Sequence, residues 1–201
     1  MPSKLVPAGL ILGAALSAAA VEYRIEPAEG ARLALEVHKT GLMRGKKHLF
    51  VFHRYRGELH YDPERPEASH VRLVIEAASA ECLDDWVKPK QLKDIQEYAL
   101  NEAMRVRRFP QLIFESERIV ALGDGKYRVT GPLRVRGVAR PVAVEVEMRP
   151  EGDKLRFTGK AVVDMKAYGI KPPKAALGMI GTKKEMDFSF ELIAVPETGG
   201  S

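Results

Sequence analysis

The stretch GKYRVTGPLRVRGVARPVAVEVEM, Gly125–Met148, decides the fold class. Tyr127, Val129, Gly131, Leu133 and Val135 alternate with Arg128, Thr130, Arg134 and Arg136. After Gly137 the pattern resumes as Val142, Val144, Val146 and Met148 against Glu145 and Glu147. A period of two sends successive side chains to opposite faces, so these are two strands with one apolar and one wet face, the antiparallel case. Pro132 has no N–H for a ladder, so the first strand is expected to meet an edge or a bend at Gly131-Pro132.

The same alternation spreads outward. RLALEV offers Leu33, Leu35 and Val37, VRLVIE offers Val71, Leu73 and Ile75, and EMDFSFEL offers Met186, Phe188, Phe190 and Leu192; LRFTGKAVV, from Leu155, follows the same rule. Asp124-Gly125 and Gly152-Asp153 supply tight turns, and Asp62-Pro63 opens the link before Val71. About nine or ten strand runs with short links predict an all-β domain, a closed barrel or a sandwich.

Two segments break the pattern. From Lys90 to Val106, Leu92, Ile95, Ala99, Ala103 and Val106 recur at helical spacing, and Pro110 forbids continuation. Arg105, Arg107 and Arg108 then fall in the last helical turn, where positive charge meets the negative end of the dipole at about 0.3–1 kcal/mol. Between Asp164 and Lys184, Gly169, Pro172, Pro173, Gly178 and Gly181 predict a long loop with one short helical turn.

Lys4, the apolar run Leu5–Leu16 and Ala18-Ala19-Ala20 have the layout of a secretory signal peptide cleaved after Ala20, which implies a periplasmic protein. A membrane anchor is the weaker alternative, because Pro7, Gly9 and Gly13 interrupt a run that is short for a span of ~20 residues. Residues 21–195 are expected to form one domain, followed by a disordered tail, 196–201. Without Lys4 the formal charge falls from +5 to +4, and the charges are mixed along the chain, so nothing calls for nucleic acid. Peripheral contact with an anionic membrane stays open. The single cysteine, Cys82, excludes an internal disulfide.

Catalytic signatures are sparse. His38, His48, His53 and His60 have no metal-ligand spacing, so no metal is expected. No Gly-x-Ser-x-Gly elbow or glycine-rich phosphate loop occurs. Met43, Met104, Met165, Met179 and Met186 sit near loops or strand ends beside aromatic residues. Ordinary core packing explains them as well as an adaptable lining for a long apolar ligand does. A barrel of about eight strands either fills its interior with side chains or holds one small molecule. Burying a dozen methylenes would contribute roughly 10 kcal/mol before entropic costs, enough for tight binding without a catalytic motif.

Four blocks, in order, resemble the YceI-like family of exported lipid-binding proteins. They are VEYRIEPAEGARLALEVHKTG, FHRYRGELHYDPERPEASHVRLVIEAAS, RFPQLIFESERI and GKYRVTGPLRVRGVARPVAVEVE, and the likeness spans about residues 21 to 194. The resemblance implies a lipocalin-like closed antiparallel barrel of eight strands with a short helical cap. It further implies binding of a polyisoprenoid, quinone tail or fatty amphiphile in the periplasm, with no cofactor beyond such a lipid; paired barrels are common in the family, so a homodimer is a compatible assembly. Phe109, Pro110, Phe114, Ser116, Gly131, Gly137 and Pro141 match its structural positions. The loop DMKAYGIKPPKAALGMIGTK departs from the family's asparagine- and tryptophan-containing form.

On alternation and placement, Phe50, Phe52, Phe114, Met148, Phe188 and Phe190 are expected in the interior. Met104, Tyr168, Ile170 and Met179 are expected at the mouth, with Arg105, Arg107 and Arg108 as headgroup candidates. The expected protein is a non-enzymatic carrier. The alternatives are a lipid-related hydrolase, for which Ser116 and His53 would be tested, and a ligand-free interaction module.

Overall fold

A computed structural model of the chain describes residues 20–197. The expected signal peptide up to residue 19 and the tail beyond Glu197 lie outside the described residues. The strands are β1 (Val21–Ile25), β2 (Arg32–Gly41), β3 (Lys47–Phe52), β4 (Tyr55–Tyr61), β5 (His70–Glu76) and β6 (Ala80–Cys82). After the helix α1 (Pro89–Glu97) come β7 (Gln111–Glu115), β8 (Arg118–Gly123), β9 (Lys126–Val135), β10 (Val138–Glu151), β11 (Lys154–Asp164) and β12 (Ile180–Pro196).

Strands β1, β4, β5, β7, β9, β10, β11 and β12 are hydrogen-bonded in that order, and β12 returns to β1. Every pairing in this ring is antiparallel. The closed eight-stranded barrel is therefore the fold. Closure depends on β12, which runs for 17 residues. Ile180 to Glu191 pair with β2, whereas Ala194 to Pro196 pair with β1, so one long strand changes partner along its length. Strand β2 extends the wall beyond β12 and carries β3 and β6, and their inward residues Leu35, Val37, Phe50 and Phe52 share one core with the ring. Pro196, assigned to the tail by its composition, is the last residue of β12 and pairs with Tyr23.

Strand β9 makes a similar switch. Lys126 to Thr130 face β8, whereas Leu133 and Arg134 face β7. Gly131 and Pro132 fall between partners on that side, which is where a residue without an N–H is tolerated. A Cβ on Gly131 would stand 2.0 Å from the Glu115 carbonyl oxygen, so the close approach of the two chains requires glycine.

Helix α1 packs on β6, whose outer edge has no strand neighbour. Gln96 completes that edge: its Nε2–H donates to the Ala80 carbonyl at 2.7 Å and its Oε1 accepts from the Cys82 N–H at 2.7 Å. A side-chain amide thus satisfies the groups an exposed edge would leave free. Helical periodicity predicts a helix over Lys90–Val106, but the α-helix ends at Glu97 and a π-helical stretch, Tyr98–Met104, follows. Its i→i+5 geometry brings Ala99 and Met104, five residues apart, into the core together. Arg105 closes it in a left-handed conformation at φ 53°, and Arg107 and Arg108 follow in a turn. The three arginines therefore lie past the last helical turn, and the dipole argument does not apply to them. The long irregular loop is shorter than its composition implies, because Met165–Tyr168 and Ala176–Gly178 are 3-10 turns and β12 begins at Ile180.

Candidate functional site

The inward faces of the strands enclose two cavities along the barrel. The first, about 150 Å³, is walled by apolar side chains that include Leu59, Phe114, Val144, Met148, Phe157 and Phe190. The second, about 270 Å³, lies under the helix, with Leu35, Val37, Phe50, Met104, Ile170 and Met186 in its wall. Phe188 lines both, and the Phe52 ring stacks on it with centroids 6.3 Å apart. Phe188 is the residue that the two linings share. An apolar cavity of ~150 Å³ stays dry and can accept a benzene-sized group.

All six residues expected in the interior line a chamber: Phe114, Met148 and Phe190 the first, Phe50 and Phe52 the second, Phe188 both. Of the four expected at the mouth, Met104 and Ile170 line the helix-side chamber. Tyr168 lines neither; it is fully buried, its hydroxyl has no hydrogen-bond partner, and burial pushes its phenol pKa up. Met179 also lines neither and is exposed on the outer surface, because the Ala175–Ile180 bridge folds the intervening residues into an outward turn. Arg105, Arg107 and Arg108 are exposed and line neither chamber. Arg108 instead lies over the Phe109 ring, 5.3 Å from its centroid.

The polar groups of the interior are elsewhere. Lys39 and His48, both partly buried, line the helix-side chamber, as does the exposed Asp94. Lys39 continues the inward phase of Leu33, Leu35 and Val37, and His48 precedes Phe50 and Phe52 in the inward phase of β3. The period-two rule that located the apolar wall thus carries two polar residues into it. Burial holds the Lys39 ammonium below the ordinary lysine value, opposed in part by the charge of Asp84.

Behind His48 lies a buried polar cluster. The His48 Nδ1–H donates to Asp84 Oδ2 at 2.5 Å, and Asp84 Oδ1 accepts the Leu49 N–H at 2.9 Å. Ligand atoms of His48, Cys82 and Asp84 lie within 4.8 Å of one another, a grouping no linear spacing announces. Burial pushes the Cys82 thiol up to about 12, and the Asp84 charge adds to it. A thiol held protonated is a weak nucleophile. The arrangement as built is a hydrogen-bonded anchor that fixes the His48 ring, which also stacks on Trp86 at 5.4 Å.

The opposite end differs. Tyr61 and Tyr127 line the first chamber, and burial, followed by the Tyr127 hydrogen bond, raises the Tyr61 phenol well above its ordinary value. Ser116, the hydroxyl weighed as a nucleophile, is buried at the corner where β7 leaves β5 and lines neither chamber. Its Oγ accepts the Val71 N–H at 2.9 Å and lies 3.3 Å from His70 Nδ1. His53 pairs with Glu81 on the exposed surface at 2.7 Å. Neither of these two residues lines a chamber.

A closed barrel around an apolar, two-chambered interior that is polar at one end has the architecture of a binding protein of the lipocalin-like kind. The chain belongs to the YceI-like family, whose domain profile, described as YceI-like domain, matches residues 23–192. It is 29% identical over 175 residues to a UPF0312 protein of Pseudomonas aeruginosa, covering 82% of this chain and 86% of that one. A UPF0312 protein of Yersinia pestis is 31% identical over 150 residues, 72% of each chain. Among solved structures, Burkholderia cenocepacia BcnA superposes with a TM-score of 0.67 at 21% identity, over 83% of this chain and 98% of that chain. The Campylobacter jejuni YCEI protein does so with a TM-score of 0.55 at 14% identity, over 73% and 83%. At these identities the structural likeness speaks for the fold.

Proposed function

We propose that this protein binds and carries a long-chain amphiphile, an isoprenoid or quinone tail or a fatty chain, without chemistry on it. The observation that carries the reading is the polarity of the interior along its axis. One chamber has no charged side chain in its wall, the next adds Lys39, His48 and Asp94, and Phe188 lines both. The tail would occupy the first chamber and the headgroup the second, against Lys39 and the His48 ring that Asp84 holds in place. Joined past Phe188, the chambers fall in the range of about 300–1,000 Å³ typical of small-molecule sites. The N-terminal residues support a periplasmic setting, where an apolar chain needs shelter from water to move between membranes.

The test is extraction. Protein isolated from the periplasm without detergent and examined by native mass spectrometry should carry a co-purified amphiphile that organic solvent removes. Repeated preparations with unaltered mass and no extractable chain would overturn the carrier reading.

A further inference from the structure

The helix end of the barrel presents a surface that ligand storage does not explain. The turn after β2 and the loop before β12 lie side by side there, joined by the Leu42 N–H donating to the Met179 carbonyl at 3.1 Å. Their tips carry Leu42, Leu177 and Met179, which are 74%, 105% and 55% exposed. These are three of the seven large hydrophobic residues exposed among the described residues, gathered on two touching loops. Ala176 and Leu177 both adopt left-handed backbone, at φ 49° and 54°, a conformation that side chains with a Cβ rarely hold. The chain is therefore bent against its own preference where Leu177 projects from the surface.

Charge says what covers this patch. Residues 42–47 and 171–179 contain Arg44, Lys46, Lys47, Lys171 and Lys174 and no aspartate or glutamate. Lys47 reaches Glu36 at 2.5 Å and Lys46 lies over Trp86, whereas Arg44, Lys171 and Lys174 are exposed. Apolar tips ringed by cations of one sign fit a bilayer surface that is anionic at the headgroups and apolar just beneath. Among the described residues no helix is long and apolar enough to cross a membrane. Ile170 and Pro173, in the same loop, line the helix-side chamber, so the patch borders the chamber that holds the polar groups.

We propose that Leu42, Leu177 and Met179 insert into an anionic lipid bilayer while Arg44, Lys171 and Lys174 engage its headgroups, setting the helix-side chamber against the membrane. The purpose rests on the carrier reading, but the docking surface does not depend on it. The test is vesicle flotation of the full mature chain, with phosphatidylcholine vesicles compared with vesicles that also contain phosphatidylglycerol. The wild type should float with the anionic vesicles and lose binding as salt rises. Leu42→Ser, Leu177→Asn and Met179→Ser together should abolish flotation, asparagine being chosen because it tolerates the left-handed backbone. Arg44→Gln, Lys171→Gln and Lys174→Gln together should weaken it about a hundredfold, roughly fivefold per charge removed.

Equal binding to both kinds of vesicle, or wild-type flotation of the apolar variant, would overturn the proposal. Self-association in sedimentation that the apolar variant loses, without any vesicle binding, would give the patch to a second copy and overturn it as well. Both variants should retain their bound chain. Vesicle binding by a protein that never yields an extractable chain would leave the docking surface standing and remove the carrier reading alone.

Discussion

Filling the first chamber from its own wall separates tail binding from every other property. Ala161 lies on β11 opposite Phe188 and lines that chamber. The cavity of about 150 Å³ matches a benzene-sized group, so Ala161→Phe would place a ring where about six carbons of a chain would lie. At ~0.8 kcal/mol per buried methylene the loss is about 5 kcal/mol, or three to four orders of magnitude in affinity. The assay is calorimetry with a homologous series of straight-chain carboxylates. In the wild type each added methylene should tighten binding about fourfold until the chamber is full. In the variant this rise should stop about six carbons earlier. The thermal unfolding midpoint should not fall, because the ring fills a void. The same chain-length dependence in both proteins, with the variant folded, would refute the placement of the tail.

Lys39→Met should weaken a carboxylate-headed amphiphile by at least about tenfold, the scale of a hydrogen bond to a charged group, and spare the corresponding alcohol. Arg105→Gln, Arg107→Gln and Arg108→Gln should leave both affinities unchanged, which calorimetry on the same ligands checks. Gly131→Ala should cost ~3 kcal/mol or more in urea unfolding, because its Cβ meets a backbone oxygen that cannot move aside. Gly152→Ala should cost only the left-handed penalty of about 1–2 kcal/mol, since nothing lies within 4 Å of its Cβ. Cys82 should resist alkylation at neutral pH in the folded protein and react on unfolding. Because folding raises its pKa, its share of stability is complete below the ordinary thiol range and is lost as pH climbs towards about 12. Cys82→Ala should remove that part of the alkaline fall in unfolding free energy.

The barrel wall was legible because alternation is a local property. Val142, Val144, Val146 and Met148 need only a strand and a core to declare their face, and all four line the first chamber. The same rule contains the polar end of the interior, but on that face the apolar residues stop at Val37 and start at Phe50. Lys39 and His48 lie one step further in the same phase. The partner exchange along β12 was not legible, because which neighbour a strand takes is decided by ring closure, not by its own residues. Nor was the π-helical stretch, since Leu92, Ile95, Ala99 and Ala103 satisfy an α pattern up to the point where the helix widens. That pattern puts the three arginines on a last helical turn, whereas the helical stretch ends at Met104. Met179 leaves its expected place for a similar reason: a single bridge between Ala175 and Ile180 turns it outward, and composition does not encode that bridge.

Orientation follows from the two ends being built from different chemistry. Tyr61 and Tyr127 line the first chamber with phenols, and Tyr61 is held protonated by burial and by its neighbour. That end offers hydrogen bonds but no charge. The helix end offers an ammonium, a carboxylate and an imidazole anchored on a buried aspartate whose side chain is 1% exposed. A charged headgroup buried among the phenols would have no counter-ion, whereas at Lys39 it would relieve a cation already short of solvent. For the proposed amphiphile the interior would therefore favour one polarity, tail first towards Tyr61 and head last beneath the helix. The same asymmetry would let a chain leave head first through the end that carries Leu42, Leu177 and Met179.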